Sequence, residues 1–229
     1  MSQNRALHQA CKFKVAVKIS IPQLIDNKCE SNPDYKKRYN KQIGMHQEKL
    51  YFIGVCPPPD ISMEIEMLKQ EMKLQFGPKH ALKSPPHITL QMPFKRAGSF
   101  EFVIKDKLNS FASDHEPFKL QLDGFDRFSD RVIFIKVKNS EPLASLYREL
   151  QSLLLHDLAF EKQELNARFH PHITIATRDL SKLTFKQAWP AFMNRKFNAS
   201  FLADRLVLFK HAGKHWEVLE EYKLLGLTK

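Results

Sequence analysis

The chain has 229 residues, 43% of them hydrophobic and 27% charged, which supports one domain with a sizeable core and is too apolar for a disordered chain. No run of 18 apolar residues occurs, so a membrane-spanning helix is excluded. Thirty-six Lys and Arg against 25 Asp and Glu give a net charge of +11, which favours polyanionic partners, although nine of the basic residues and only three of the acids lie in residues 1–44, leaving the rest mildly basic.

In chain order, residues 1–44 read as a basic N-terminal extension. Residues 13–21 alternate apolar and basic side chains as a strand would, and residues 27–42 are polar and turn-rich. Met45 opens the segment that reads as a domain, 45–229, and is an alternative start of the protein. Residues 50–55 form an apolar strand. Pro57-Pro58-Pro59-Asp60 ends it and predicts a helix with Asp60 as N-cap and Ile61, Ile65, Leu68 and Met72 on one face. Gly77-Pro78 closes that helix. Strand 87–92, a polar helix over 101–113 and strand 118–122 follow.

The pattern then repeats. Residues 132–137 form a strand, and Pro142 opens a helix carrying Leu143, Leu146, Leu150 and Leu153 or Leu154. Strand 172–176 and a helix over 181–194 complete the second unit. Strands over 197–203, 205–211 and 216–222 end the chain, the last two joined by a turn at Ala212-Gly213-Lys214. Two strand–helix–strand–helix–strand units in matching order indicate an internal duplication of one lobe. The expected fold is α+β: two pseudo-symmetric lobes, each an antiparallel sheet packed by helices, facing across a central cleft.

The middle strand of each unit is entered through the same four residues, Pro-His-Ile-Thr: His87-Ile88-Thr89 after Pro86, and His172-Ile173-Thr174 after Pro171. On a strand, side chains at i and i+2 share a face. Each histidine is therefore presented beside its threonine, while Ile88, Leu90, Ile173 and Ile175 face a core. Two imidazoles and two hydroxyls around one cavity suit phosphoryl transfer. A neutral histidine takes the proton of the attacking oxygen and a protonated one supplies the leaving oxygen. The threonine hydroxyls donate to the non-bridging oxygens, where charge accumulates. The scheme needs neither metal nor cofactor. His87, Thr89, His172 and Thr174 are the candidate catalytic residues.

Twin H-x-T-hydrophobic motifs about 80 residues apart in a duplicated α+β chain resemble the two-histidine (2H) phosphoesterase superfamily, and within it the bacterial 2'-5' RNA ligase-like family. Leu50-Tyr51-Phe52-Ile53-Gly54-Val55, Phe169-His170-Pro171-His172 and Trp216-Glu217-Val218 add to the likeness, which covers residues 49–224. The resemblance implies hydrolysis of RNA or nucleotide 2',3'-cyclic phosphates, with 2'-5' ligation as a related reversible activity, and by analogy His87 as acid and His172 as base. Better-studied members often carry an arginine five residues after the second histidine. Here that position is Thr177 and the arginine is Arg178. One residue changes the face of an ideal strand, so Arg178 serves as a phosphate clamp only if the strand has ended before it.

Arg168 and Arg178 flank the second motif and are candidate substrate contacts, as is His170. His170 and His172 form an H-x-H pair, but zinc needs three or four ligands, so no metal site is expected. Tyr51 and Phe52 are neighbours on one strand. One faces the core and the other is free to stack on a base, and Tyr51 is carried as the substrate-binding candidate. Trp189 and Trp216 read as core, His80 as an exposed loop residue and the 36–41 run as a solvated face. Cys11, Cys29 and Cys56 share no C-x-x-C spacing, which argues against disulfides and fits a reducing cytoplasm. A cytoplasmic monomer acting on RNA 2',3'-cyclic phosphate ends or cyclic nucleotides is expected, with no membrane partner. The alternatives are a non-catalytic RNA-binding module and a phosphodiesterase acting on another small phosphodiester.

Overall fold

The computed structural model describes residues 46–165 and 168–227, within a compact unit that spans residues 43–229. The strand expected over residues 13–21 and the rest of the basic segment lie outside the described residues. The elements run β1 (Glu48–Val55), α1 (Pro59–Phe76), β2 (Ile88–Ala97), α2 (Phe100–Ser113), β3 (Phe118–Phe128), β4 (Val132–Val137), α3 (Glu141–His156), β5 (His172–Ala176), α4 (Lys182–Phe192), β6 (Asn198–Ala203), β7 (Arg205–His211) and β8 (Trp216–Lys223). No described helix is long and apolar enough to cross a membrane.

The helices form where caps and apolar periodicity coincide. Ser140 caps α3 by accepting from the Leu143 N–H, and Ser181 caps α4 by accepting from the Thr184 N–H. α1 corrects one expectation: Pro58 is its N-cap, Pro59 takes the first helical position, and Asp60 lies in the first turn. Proline at that position sacrifices no hydrogen bond, and the Asp60 carboxylate still complements the helix dipole. α1 ends at Gly77, whose φ of 95° gives a left-handed cap. Its buried face holds Ile61, Ile65, Leu68 and Met72, as the spacing predicts, and also Lys69, whose position falls on that face although a lysine ordinarily faces solvent.

Two strands run past their expected ends. β3 continues to Phe128 because Gly124, at φ 65°, absorbs a register shift between Leu122 and Phe125. β2 continues through Pro93 to Ala97. The proline is tolerated because β2 pairs with β5 at one position only, Ile88 with Ile173, leaving its flank open further along.

All strands pair antiparallel in one sheet of order β6-β3-β4-β5-β2-β1-β7-β8. Read outward from the Ile88–Ile173 contact, β2-β1-β7-β8 on one side faces β5-β4-β3-β6 on the other. The expected order of two strand–helix–strand–helix–strand units holds in sequence. In space, however, the third strand of the first unit, β3, pairs with β4 and β6 of the second, and β7 takes the place beside β1. The helices bury their apolar faces in one core that includes Ile88, Leu90, Ile173 and Ile175.

Gly54 fixes the approach of β1 to the first motif. A Cβ there would lie 2.7 Å from the Ile88 carbonyl oxygen and 3.7 Å from His87 Cδ2. The Ile88 carbonyl, and with it the β1–β2 pairing beside His87, must shift to admit it. Gly54→Ala is therefore expected to cost about 1–3 kcal/mol, as read by urea denaturation. Unchanged stability would show that the close approach does not matter.

Candidate active site

His87 leads directly into β2 and His172 opens β5, the two strands that meet at the centre of the sheet. Ile88, Leu90, Ile173 and Ile175 are buried, while the alternate residues His87, Thr89, His172 and Thr174 are half-buried. These four side chains line one cavity of about 300 Å³, at the small end of the range for ligand pockets. Pleat alternation on two adjacent strands brings them together.

Each imidazole is held in the same way. His87 Nδ1 lies 2.7 Å from the Pro85 carbonyl oxygen and His172 Nδ1 lies 2.7 Å from that of His170. A carbonyl only accepts, so Nδ1 donates in both rings. The neutral form then carries its free lone pair on Nε2. Each ring is also flanked by two phenylalanines. Phe52 of β1 and Phe209 of β7 stand 4.5 and 5.5 Å from His87, centroid to centroid. Phe134 of β4 and Phe128 of β3 stand 5.0 and 4.9 Å from His172. Within each pair the rings touch, at 4.2 Å for Phe52–Phe209 and 4.3 Å for Phe128–Phe134.

This apolar surrounding disfavours the imidazolium. Burial pushes His87 down to about 4, with the Lys69 ammonium and His172 acting in the same direction and the Pro85 hydrogen bond opposing them. His172 is also held below its ordinary value, chiefly by burial, with the bond to the His170 carbonyl opposing. Both rings are therefore neutral in the free protein at neutral pH.

Lys69 lies behind the first motif. It is 2% exposed, lines the cavity, donates to the Ser84 carbonyl at 2.9 Å and pairs with Glu66 at 3.2 Å. Desolvation lowers its pKa, and Glu66 counters that shift. By binding Ser84 it ties α1 to the segment that supplies the Pro85 carbonyl to His87.

Past the second motif, β5 ends at Ala176. The Asp179 N–H donates to the Thr177 carbonyl at 2.6 Å, closing a three-residue turn around Arg178, whose φ is 53°. Strand alternation no longer applies there, and Thr177 and Arg178 both line the cavity. The Asp179 carboxylate accepts the N–H groups of Lys79 and His80 at 2.8 and 2.9 Å. It thereby joins the loop before the first motif to the turn after the second.

Other expectations need correction. Tyr51 does not reach the cavity: it is fully buried, its hydroxyl donates to Glu101 at 2.8 Å, and Phe52, one residue on, lines the cavity in its place. Trp216 is half-buried rather than core, packs edge-on against Phe52 at 4.7 Å and also lines the cavity. His80 lines it as well. His170 and Arg168 do not line it. His170 contributes its backbone carbonyl instead. Among the described residues no three His, Cys, Asp or Glu side chains gather as a metal would require.

The sequence does carry a signal for the phenylalanines. Phe52-Ile53-Gly54-Val55 in β1 and Phe134-Ile135-Lys136-Val137 in β4 repeat Phe-Ile-x-Val in the first strand of each unit. Lys69 has no such signal, since a lysine on an amphipathic helix ordinarily faces solvent.

Comparison with known proteins gives a family and structures of similar fold. The 2'-5' RNA ligase superfamily profile matches residues 57–215. A protein of Bacillus anthracis named as a phosphoesterase is 30% identical over 156 residues, 67% of this chain and 86% of that protein. One from Oceanobacillus iheyensis, similarly named, is 26% identical over 177 residues, covering 76% of this chain and 97% of that protein. Among solved structures, TT0787 of Thermus thermophilus superposes with a TM-score of 0.58 at 22% identity, covering 79% of this chain and all of that one. E. coli LigT complexed with 3'-AMP gives 0.56 at 20% identity, covering 78% and 99%.

Proposed function

The chain belongs to the 2'-5' RNA ligase superfamily, a two-histidine phosphoesterase family, and from that premise we propose that it is a metal-independent phosphodiesterase that opens 2',3'-cyclic phosphates at RNA ends or on nucleotides. The observation that carries this reading is the shared cavity of His87, Thr89, His172 and Thr174, with both Nδ1 atoms tied to backbone carbonyls and both Nε2 atoms free for proton transfer. The capture of 3'-AMP by E. coli LigT, a protein of the same fold, is in keeping with it.

In the reaction, one Nε2 accepts a proton from water as the water oxygen bonds to phosphorus. The bond from phosphorus to one ribose oxygen breaks, and the other Nε2–H protonates that oxygen, leaving a phosphate monoester. A ribose hydroxyl at an RNA 5' end in place of water makes the step a 2'-5' ligation, and its reverse is cleavage. Thr89 and Thr174 donate to the non-bridging oxygens, and Arg178 at the rim offsets their charge. Burial holds both rings below the ordinary imidazole value, so the proton that the acid supplies is one it gives up readily. By analogy with the family His87 is the acid and His172 the base.

The palindromic strand order and the matching phenylalanine pairs support two lobes related by pseudo-two-fold symmetry, with the cavity as the cleft between them. Cys56 is a free thiol, in keeping with a cytoplasmic setting.

The test is turnover of adenosine 2',3'-cyclic phosphate and of RNA ending in that group, by the full chain in EDTA. Product formation unaffected by EDTA is expected. Inertness toward both, or loss of activity in EDTA that added divalent metal restores, would overturn the reading.

The pH dependence follows from the lowered histidines. The active form carries one proton on the pair, so it is populated between two apparent values that belong to the pair, both below the ordinary 6.5. As the pH falls from about 8 the acid becomes protonated and kcat/KM rises. As it falls toward about 4 both rings become protonated and kcat/KM declines. The maximum is expected below 6.5, and a maximum on the alkaline side of neutrality would contradict it.

A further inference from the structure

A second cavity of about 380 Å³ adjoins the first and shares Thr177 and Arg178 with it. Arg131, which follows the β3–β4 turn, and Lys182, at the start of α4, complete a lining with three cations and no acid. Arg96, Arg127, Arg148, Arg195 and Arg205 each pair with a carboxylate. Among the described residues, Arg131, Arg178 and Lys182 have no such pair. The nearest carboxylates along the chain are engaged elsewhere: Asp130 with Arg127, and Asp179 with the Lys79 and His80 N–H groups. Uncompensated guanidinium and ammonium groups converging on a concavity favour a phosphate, which accepts several charge-assisted hydrogen bonds at once.

The place of this cavity decides which phosphate it suits. Its shared wall with the catalytic cavity lies at Thr177 and Arg178, just past the second motif, so an anion held here belongs to the same ligand as the reacting group. We propose that this cavity holds the phosphate joining the terminal nucleoside to its 5' neighbour, with Arg131 and Lys182 as the residues that favour an oligonucleotide over a mononucleotide. This rests on the proposed function of the first cavity. Arg178 lines both cavities, and Arg131 and Lys182 belong to the second alone.

The experiment compares kcat/KM for triadenylate ending in a 2',3'-cyclic phosphate with that for adenosine 2',3'-cyclic phosphate, in wild type and in the Arg131→Gln/Lys182→Gln double variant. Anisotropy of a fluorescent triadenylate ending in a 3'-phosphate gives affinity without need of turnover. Wild type is expected to favour the trimer by about tenfold or more, equivalent to about 1.4 kcal/mol, with a rate that falls more steeply with salt. The double variant is expected to lose that preference and the steeper salt dependence, to bind the trimer about tenfold more weakly, and to process the mononucleotide at the wild-type rate. Equal wild-type handling of trimer and mononucleotide, or unchanged trimer affinity in the double variant, would overturn the proposal. Absence of turnover on either substrate, with trimer binding still weakened by the double variant, would overturn the catalytic reading and leave the phosphate site standing.

Discussion

His87→Ala and His172→Ala are each expected to lower kcat for cyclic phosphate opening by about 10²–10⁴-fold while the protein stays folded. The size follows from what each ring supplies. Water is a poor nucleophile without a base to take its proton, and the ribose oxygen a poor leaving group without an acid. Each Nε2 is the free nitrogen of a ring anchored through Nδ1. The two groups act in one step, so the double variant is expected to fall little further than the worse single one. The Ala variants also remove a ring packed against two phenylalanines, so thermal melts accompany the rates. His87→Gln and His172→Gln keep a polar group of similar length and separate chemistry from packing. Full activity in either Gln variant would remove that histidine from the mechanism.

The second large effect is expected of the threonines. Thr89→Val and Thr174→Val keep the branched shape that suits a strand and delete one hydroxyl donor each. If those donors meet the oxygens on which charge accumulates, kcat falls by about 10²–10³-fold for each, with KM moving much less because the contact strengthens in the transition state. A rise in KM at constant kcat would instead mark them as ground-state binding groups.

Much of this was legible from residue order because it depends on local rules. Short strand-like runs gave β4, β5 and β7 with the ends expected, and period-two alternation placed Ile88 and Ile173 inward with their histidine and threonine neighbours on the other face. What local rules do not reach is the choice made by neighbours in space. Tyr51 and Phe52 sit on opposite faces of β1, and the register in which β1 pairs with β2, Gly54 opposite Thr89, decides which face adjoins His87. Lys69 falls within the apolar stripe of α1, yet its burial depends on the Ser84 carbonyl and Glu66 being there to receive its protons. By strand alternation Arg178 is one residue out of register, and the tight turn after Ala176 resolves that, because the strand ends before it. The pairing of β3 with β4 and β6 is a long-range outcome of the same kind.

The central claim is that His87 and His172 act on one phosphate. It is tested most directly by following the imidazole Nε2 and Nδ1 nuclei of both residues by nitrogen NMR while adenosine 2'-monophosphate, the ring-opened product, is added to the full chain in EDTA. The expected result is that both Nε2 signals move at one common saturating concentration and that the pair takes up a proton at a higher pH than in the free protein, with both Nδ1 atoms remaining protonated. A phosphate that shifts only one of the two rings, or shifts neither while binding elsewhere, would contradict it.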